Sequence, residues 1–399
     1  MKPSSRLPPA EKKALQLGFM RLSDSAPLVL AKELGLFEEF GLDVELSREV
    51  SWANLRDRLV LGDLDAAQLL APLPMMTSYG AGGMRANLLT GLSLSLNGNA
   101  ITVSSGLWSE LAMPGTARPP DPLLTARKLR ELLATRDHKS GLTFATVHLF
   151  SMHTILLRMW LSAGGIDPDR DVRIIVLPPE QMYDSLARGV IDGYCVGEPW
   201  NTLAVMQGAG SVVATGYHIW NNAPEKVLGV TENWHRAHPG THARLRLALM
   251  SAAHLLRDRE QREQAAEILS RPEYLGLPVK VLAPSLTGDF CFSKGTEPVY
   301  IRDFHVFWLY QAGFPWRSHA ETLMRYSSQS LGRSIAEEQI RSLVQQCYRT
   351  DLYREAARYL GIPSPGKDVK TENRHAAAWE MEPGIAMGSD MMITPPQQG

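Results

Sequence analysis

Twice along the chain, strand-sized apolar runs alternate with amphipathic helical stretches, and no other feature restricts the fold as strongly. The first series opens with the strand Leu15 to Phe19. Pro27 then starts a helix in which Leu30, Leu34 and Phe37 share one face, and Gly41 ends it. Val44 to Leu46 reads as the second strand. Trp52 to Leu61 reads as the next helix, with Ser51 as its cap and Gly62 as its terminator, and Asp65 to Leu70 as the third strand. Strands alternating with helices predict βαβ units and a largely parallel sheet.

From Ser105 to Gly141 the pattern breaks into a Pro-rich stretch with a polar helix, Thr125 to Thr135, which reads as a crossover between lobes. A second series follows: strand Leu142 to Val147, helix Ser151 to Ala163 stopped by Gly164-Gly165, and strand Val172 to Leu177. Helix Glu180 to Arg188, strand Gly193 to Val196 and strand Ser211 to Gly216 complete it. After about Val227 the chain turns mainly helical and is assigned to packing around the first lobe. The resulting division is a flexible N-terminus over 1–13, a first lobe over 14–105 plus 222–365, a second lobe over 106–221, and a flexible tail over 366–399. Two α/β lobes joined by crossovers enclose a cleft between strand ends and helix N-termini. Free backbone N–H groups and positive dipole ends suit such a cleft to an anion.

Composition narrows the function. With 399 residues, 44% of them hydrophobic and 21% charged, the chain can bury two cores of ordinary size. A formal net charge of −1 supplies no long-range attraction to nucleic acid or to an anionic membrane, so direct nucleic-acid binding is not expected. No stretch approaches the roughly 20 apolar residues of a membrane span, so no membrane insertion is expected. Cys195, Cys291 and Cys347 are far apart and odd in number, which fits a reducing compartment. The opening MKPSSRLPPAEKK has no apolar segment or cleavage site of a leader peptide; together these features predict a cytoplasmic protein. Enzyme chemistry finds no foothold. No GxxxxGK[ST] or GxGxxG loop follows a strand, and there is no HExxH, no CxxC and no GxSxG elbow. His148 and His153, five residues apart, fall off a common helical face, so neither a metal nor a cofactor is predicted.

Six segments carry a resemblance: SWANLRDRLVLGDLDAAQLLAPLPMM (51–76), LSLNGNAITV (94–103), HTILLRMWLSAGGI (153–166), GYCVGEPWN (193–201), PEKVLGVTENW (224–234) and AGFPWRSHAETLMR (312–325). They resemble the nitrate- and bicarbonate-binding proteins of ABC transporters and, equally, the cytoplasmic NasS-type nitrate/nitrite sensors built on the same fold. The likeness runs from about residue 14 to 362. It implies a type II periplasmic-binding-protein-like architecture: two α/β lobes, an interlobe cleft and a helical C-terminal portion.

The resemblance also implies a site. The family's tryptophan after the second strand corresponds to Trp52, which can give a flat anion an indole wall and an N–H donor. Its second-lobe histidine corresponds to His153, and its PEK lysine to Lys226. Lysine at that place goes with nitrate and an acidic residue with bicarbonate, as expected for an acceptor-only ion that wants a cation. The family's NGQ glutamine is replaced in Asn97-Gly98-Asn99, where Asn99 keeps the amide one methylene shorter. Gly197, in the Gly197-Glu198-Pro199 turn, adds backbone contacts, and Glu198 bonds to a neighbour. Without the resemblance, each of these residues reads as plainly as a core tryptophan, a structural histidine or a solvated lysine. The implied function is a non-enzymatic cytoplasmic receptor that binds nitrate or nitrite and controls an RNA-binding antiterminator partner of the NasT type. The alternative is the solute-binding subunit of an importer.

Overall fold

A computed structural model describes residues 1, 7–112, 119–135 and 141–394. Eleven strands build the two main sheets, apart from one short partner. They are β1 (Ala14–Met20), β2 (Asp43–Glu49), β3 (Ala66–Leu70), β4 (Leu88–Leu89), β5 (Ser93–Asn97), β6 (Asn99–Ser104), β7 (Thr143–Thr146), β8 (Arg173–Val176), β9 (Gly193–Gly197), β10 (Gly210–Thr215) and β11 (Pro224–Thr231). The first sheet runs in the order His305–Val306, β5, β11, β3, β1, β2, with β4 paired to β11. The second runs β10, β6, β9, β7, β8. Each sheet is a mixed one, covered by helices, and the architecture is the two-lobed α/β fold of periplasmic binding proteins.

The expected parallel pairing holds where strands alternate with helices, between β1 and β2, β1 and β3, β7 and β8, and β7 and β9. It fails at β6 and β11, which run antiparallel to β9 and β3. Both strands arrive from the other lobe, so each enters its sheet beside the C-terminal end of a parallel strand and runs back. Asn99 pairs with Gly197 at the end of β9, and Lys226 with Leu70 at the end of β3. Three polar or glycine positions, Asn99, Gly197 and Lys226, thereby land at the strand ends that face the cleft.

Strand membership also moves the first crossover. It lies at Asn97-Gly98 rather than near residue 105, because a change of sheet requires only two consecutive residues of positive φ, 59° and 82° here. Only glycine fits at 98, where a Cβ would sit 2.7 Å from the His305 ring. Asn97 binds this crossover to the returning one: its Oδ1 accepts from the Ala223 N–H (3.0 Å) and its Nδ2 donates to the Asp303 carbonyl (2.8 Å). The Pro-rich stretch instead belongs to a loop and helix of the second lobe, and its residues 113–118 and 136–140 lie outside the described residues. The helix expected from Pro27 to Gly41 is two, Ala26–Glu33 and Leu36–Glu39, broken at Gly35 (φ 68°).

The C-terminal helices Pro239–Leu255, Arg259–Leu269 and Val279–Thr287 pack Leu245, Leu249, Leu269 and Leu282 against Leu28, Val29 and Leu30 of the first lobe. A second core is continuous across both lobes, joining Leu22, Trp52 and Leu55 to Ile101, Phe144 and Leu156. The lobes are therefore closed on each other. Described residues within both of the segments expected to be flexible are docked. Glu11 accepts the N–H groups of Gly240 and Thr241 at a helix start (3.0 and 2.8 Å). In the tail, Asp390 accepts the N–H groups of Arg374 and His375 (both 2.7 Å), and Ile393 donates to the Ile219 carbonyl (2.8 Å). A short hairpin, Trp379–Glu382 with Ile385–Met387, also packs Trp379, Met381, Ile385 and Met387 on the first-lobe core, and its apolar run is too brief to stand out as a period. Residues 2–6 and 395–399 of those flexible segments lie outside the described residues. Among the described residues, no helix is long and apolar enough to cross a membrane.

Candidate ligand site between the lobes

Two capped helices point their first turns at the cleft. The Ser51 hydroxyl accepts from the Asn54 N–H (3.2 Å) and starts the helix Trp52–Leu61; the Ser151 hydroxyl accepts from the Thr154 N–H (3.1 Å) and starts Met152–Ala163. Trp52 and His153 thus occupy the first turn of a helix in opposite lobes. On β11, Glu225 and Lys226 are consecutive, and a regular strand would send them to opposite faces. The pairing of β11 with β5 is irregular on both sides of Lys226, and this bulge brings the two side chains together.

Together they form a cluster sealed from solvent. Asp24, Trp52, Asn99, His153, Glu225 and Lys226 are each at most 1% exposed. Lys226 Nζ lies 2.8 Å from Asp24 Oδ2, 2.5 Å from Glu225 Oε1 and 5.2 Å from the centre of the Trp52 ring. Asn99 Nδ2 donates to Glu225 Oε2 at 2.5 Å. His153 Nε2 stands 3.3 Å from Glu225 Oε1, yet neither ring nitrogen makes a hydrogen bond. The other Asp24 oxygen accepts from Gln68 Nε2 (2.6 Å), and Gln68 Oε1 accepts from the Met20 N–H (3.1 Å), which fixes the carboxylate in the first lobe.

Gly197 closes the cluster from the second lobe. A Cβ there would lie 3.6 Å from both Asp24 Oδ2 and His153 Nε2. Its neighbour Glu198 accepts the Ser23 N–H on its carbonyl (2.8 Å), a backbone bond between the lobes at the same point. The Glu198 carboxylate turns away and accepts the Thr202 N–H (3.2 Å).

Burial decides the protonation states. It pushes the His153 pKa well below the usual imidazole range, with Lys226 adding to the effect, so the ring is neutral and keeps one N–H. Burial pushes Glu225 up to about 7 against the pull of Lys226. For Lys226, burial lowers the pKa, but the Asp24 and Glu225 charges outweigh it and the net shift is upward. Five buried polar atoms in the cluster make no hydrogen bond among the described residues: Trp52 Nε1, His153 Nδ1 and Asn99 Oδ1, and also Asp24 Oδ2 and His153 Nε2, which stand at ion-pair distance from Lys226 and Glu225. Each of the first three costs on the order of 1–3 kcal/mol, a penalty that a small polar ligand relieves.

Trp52, Asn99, His153, Gly197 and Lys226 therefore meet in one place. Sequence reasoning missed Asp24 and Glu225, and with them the fact that Lys226 is not a bare cation. Asp24 reads as an ordinary turn residue before a helix, and Glu225 reads as the outward neighbour of Lys226. The usable signal was a Glu-Lys pair opening a strand whose remainder, Val227–Val230, is wholly nonpolar.

Residues 8–270 match the model of the NMT1-like family. The chain is 39% identical over 360 residues to the nitrate import ATP-binding protein NrtC of Synechocystis sp., covering 88% of this chain and 51% of that protein. It is 44% identical over 269 residues to the bicarbonate transport ATP-binding protein CmpC of the same organism, covering 66% and 38%. It thus spans about half, or less, of the length of these curated relatives. Its match to the nitrate/nitrite binding protein NrtA of Synechocystis sp. is 30% over 371 residues, covering 89% and 80%. Among solved structures, the periplasmic nitrate-binding protein NrtA from Synechocystis PCC 6803 superposes with a TM-score of 0.84 at 28% identity, covering 96% of this chain and 97% of that one.

Proposed function

The chain belongs to the NMT1-like family, and from that membership we infer that it is a receptor for nitrate or nitrite, a binding protein rather than an enzyme. One observation carries this reading: Trp52, His153 and Lys226 converge in a sealed interlobe cluster where the Trp52 and His153 donors lack partners. An indole face suits a flat, weakly hydrated anion, and ring N–H groups with an ammonium suit oxygens that only accept. The named ligands of NrtC and NrtA point the same way. Because the cluster is buried, the ligand enters only when the lobes part. Its binding then favours the closed arrangement by its differential affinity for it.

The signalling role we propose is that of a cytoplasmic NasS-type sensor, in which closure around the anion releases an RNA-binding antiterminator of the NasT type. Three unpaired cysteines are consistent with a reducing compartment. A second reading has its own support. The import ATP-binding proteins align with this chain over only part of their length, as expected if this fold serves an importer as its receptor unit.

Isothermal titration with nitrate, nitrite, bicarbonate and chloride tests the ligand. Saturable nitrate or nitrite binding, lost in Lys226→Gln, is the expected result; a folded protein that binds none of them sinks the reading. Bicarbonate belongs in the series because Glu225 offers its O–H an acceptor. Gel filtration with a purified NasT-type antiterminator, with and without nitrate, separates the two roles. The sensor reading requires a complex that nitrate dissociates.

A further inference from the structure

We infer that Glu225 sets the ligand class of this site: it takes up one proton whenever an oxyanion without a hydrogen atom enters, so nitrate binds as ion plus proton and bicarbonate as ion alone. The inference rests on the nitrate reading above and follows from counting charges in a sealed space. Lys226 carries the one positive charge of the cluster, and two carboxylates, Asp24 and Glu225, already touch it. Burial keeps the neighbouring rings of His153 and His305 neutral, with Lys226 adding to the effect in both and Arg262 acting on His305 as well. Burial, then Glu225, keeps the Cys195 thiol protonated. Glu198 points at Thr202 and stands outside the count. With both carboxylates ionised, as they are on the alkaline side of the Glu225 titration, the cluster carries a net single negative charge before any ligand arrives. A second negative charge with no water to screen it is unfavourable, and neutralising one carboxylate removes that obstacle.

Glu225, rather than Asp24, is placed to accept the proton. Asp24 Oδ1 accepts from Gln68 Nε2, itself held by the first lobe, and Oδ2 stands 2.8 Å from Lys226 Nζ. Glu225 Oε2 instead faces an amide that can turn. Asn99 donates to it through Nδ2, while Asn99 Oδ1 lies buried without a partner beside Gly216, whose missing Cβ leaves the oxygen its space. Rotating the amide by half a turn presents Oδ1 to a protonated Glu225 and frees both Nδ2 hydrogens for an anion. One proton thus converts an acceptor pair into a donor pair without moving the backbone. Glu225 is already poised for this by burial, near the middle of the physiological range. Bicarbonate brings its own O–H and satisfies the ionised carboxylate directly, so it requires no extra proton.

The test is nitrate titration of the intact protein between about pH 6 and 9, with proton uptake followed by pH-stat. In the wild type the nitrate Kd weakens about tenfold per pH unit in the upper half of that range, with about one proton taken up per nitrate. Bicarbonate affinity stays level over that upper half, where the Glu225 carboxylate is already ionised. Glu225→Gln binds nitrate with a Kd independent of pH and no proton uptake. If that variant does not fold, the wild-type proton count decides alone. Saturable nitrate binding at constant affinity without proton uptake overturns the inference and leaves the ligand reading intact, as does proton uptake that persists in Glu225→Gln for the assignment to this residue. No nitrate binding at any pH removes both.

Discussion

The two halves of the cluster differ in kind. The first lobe and its returning strand β11 contribute every charge, Asp24, Glu225 and Lys226, with the Trp52 ring beside them. The second lobe contributes neutral groups: the Asn99 amide, the His153 imidazole and the bare backbone of Gly197. The charged half is held within one lobe by Gln68 and by the β-sheet, whether or not the lobes touch. The neutral half meets it only on closure. Charge thus chooses what enters, and the neutral half supplies geometry and removes water, which makes each charge count for more.

The largest test of this division is Lys226→Gln. It leaves Asp24 and Glu225 facing each other in a buried space. Nitrate affinity is expected to fall by at least about 100-fold, in line with the roughly 3–5 kcal/mol lost when a buried ion pair loses one partner. Titration calorimetry measures it, and a loss under tenfold would erase the distinction between the halves. Glutamine is preferable to glutamate, which would set three carboxylates together.

Next in size is the effect of pH on the unliganded protein, where each lobe has one displaced carboxyl, Glu225 in the cluster and Glu198 beside it. Burial pushes Glu225 and Glu198 both up to about 7, from an ordinary value of 4.5. Between those values the folded state holds protons that the unfolded chain has released. The stability these groups contribute is present below pH 4.5 and is lost as pH rises through 7. Thermal melts from pH 5 to 8 should fall, by on the order of 1 kcal/mol per pH unit for each group. Glu225→Gln and Glu198→Gln should each flatten the curve. If only one does, that carboxyl alone carries the burial cost.

His153→Ala probes the neutral half. It removes an N–H donor but also a ring whose nitrogens have no hydrogen bond in the folded protein. We expect nitrate affinity to fall by about 1–3 kcal/mol while the melting temperature of the unliganded protein stays nearly constant. A large loss of melting temperature would mark the ring as a packing element instead.

The same division governs what could be read from the amino-acid sequence. Neutral and aromatic groups at helix starts announce themselves through caps and terminators, so Ser51–Trp52 and Ser151–His153 were legible, as were the strands that alternate with helices. The antiparallel returns were not, because β6 and β11 continue directly from crossovers and carry no turn of their own. Without β11 as a strand there was no bulge, and without the bulge Glu225 had no reason to join Lys226. Asp24 needed tertiary contact with Gln68 and Lys226 to become anything more than a turn residue. The docked tail was illegible for a related reason: its order comes from backbone donors finding Asp390 and from a short hairpin whose Trp379, Met381, Ile385 and Met387 reach the first-lobe core, too brief a run to stand out as a period.

The smallest effect belongs outside the cluster, at the rim where the lobes also touch through charge. Arg21, just after β1, pairs with Glu180 of the second lobe at 2.9 Å, with side chains 22% and 37% exposed. This contact bridges the lobes, as the neutral half of the site does, yet it stands in water. Solvent screening limits such a pair to about 0.2–1 kcal/mol. Glu180→Gln is the cleaner substitution, since Arg21 also donates to the Leu275 carbonyl and would take that bond with it. The expected result is a nitrate Kd raised by no more than about fivefold, expressed as faster dissociation in stopped-flow and vanishing near 1 M salt, where the screening length falls to about 3 Å. A salt-insensitive loss as large as that of Lys226→Gln would show that closure, and not the charged half, limits binding.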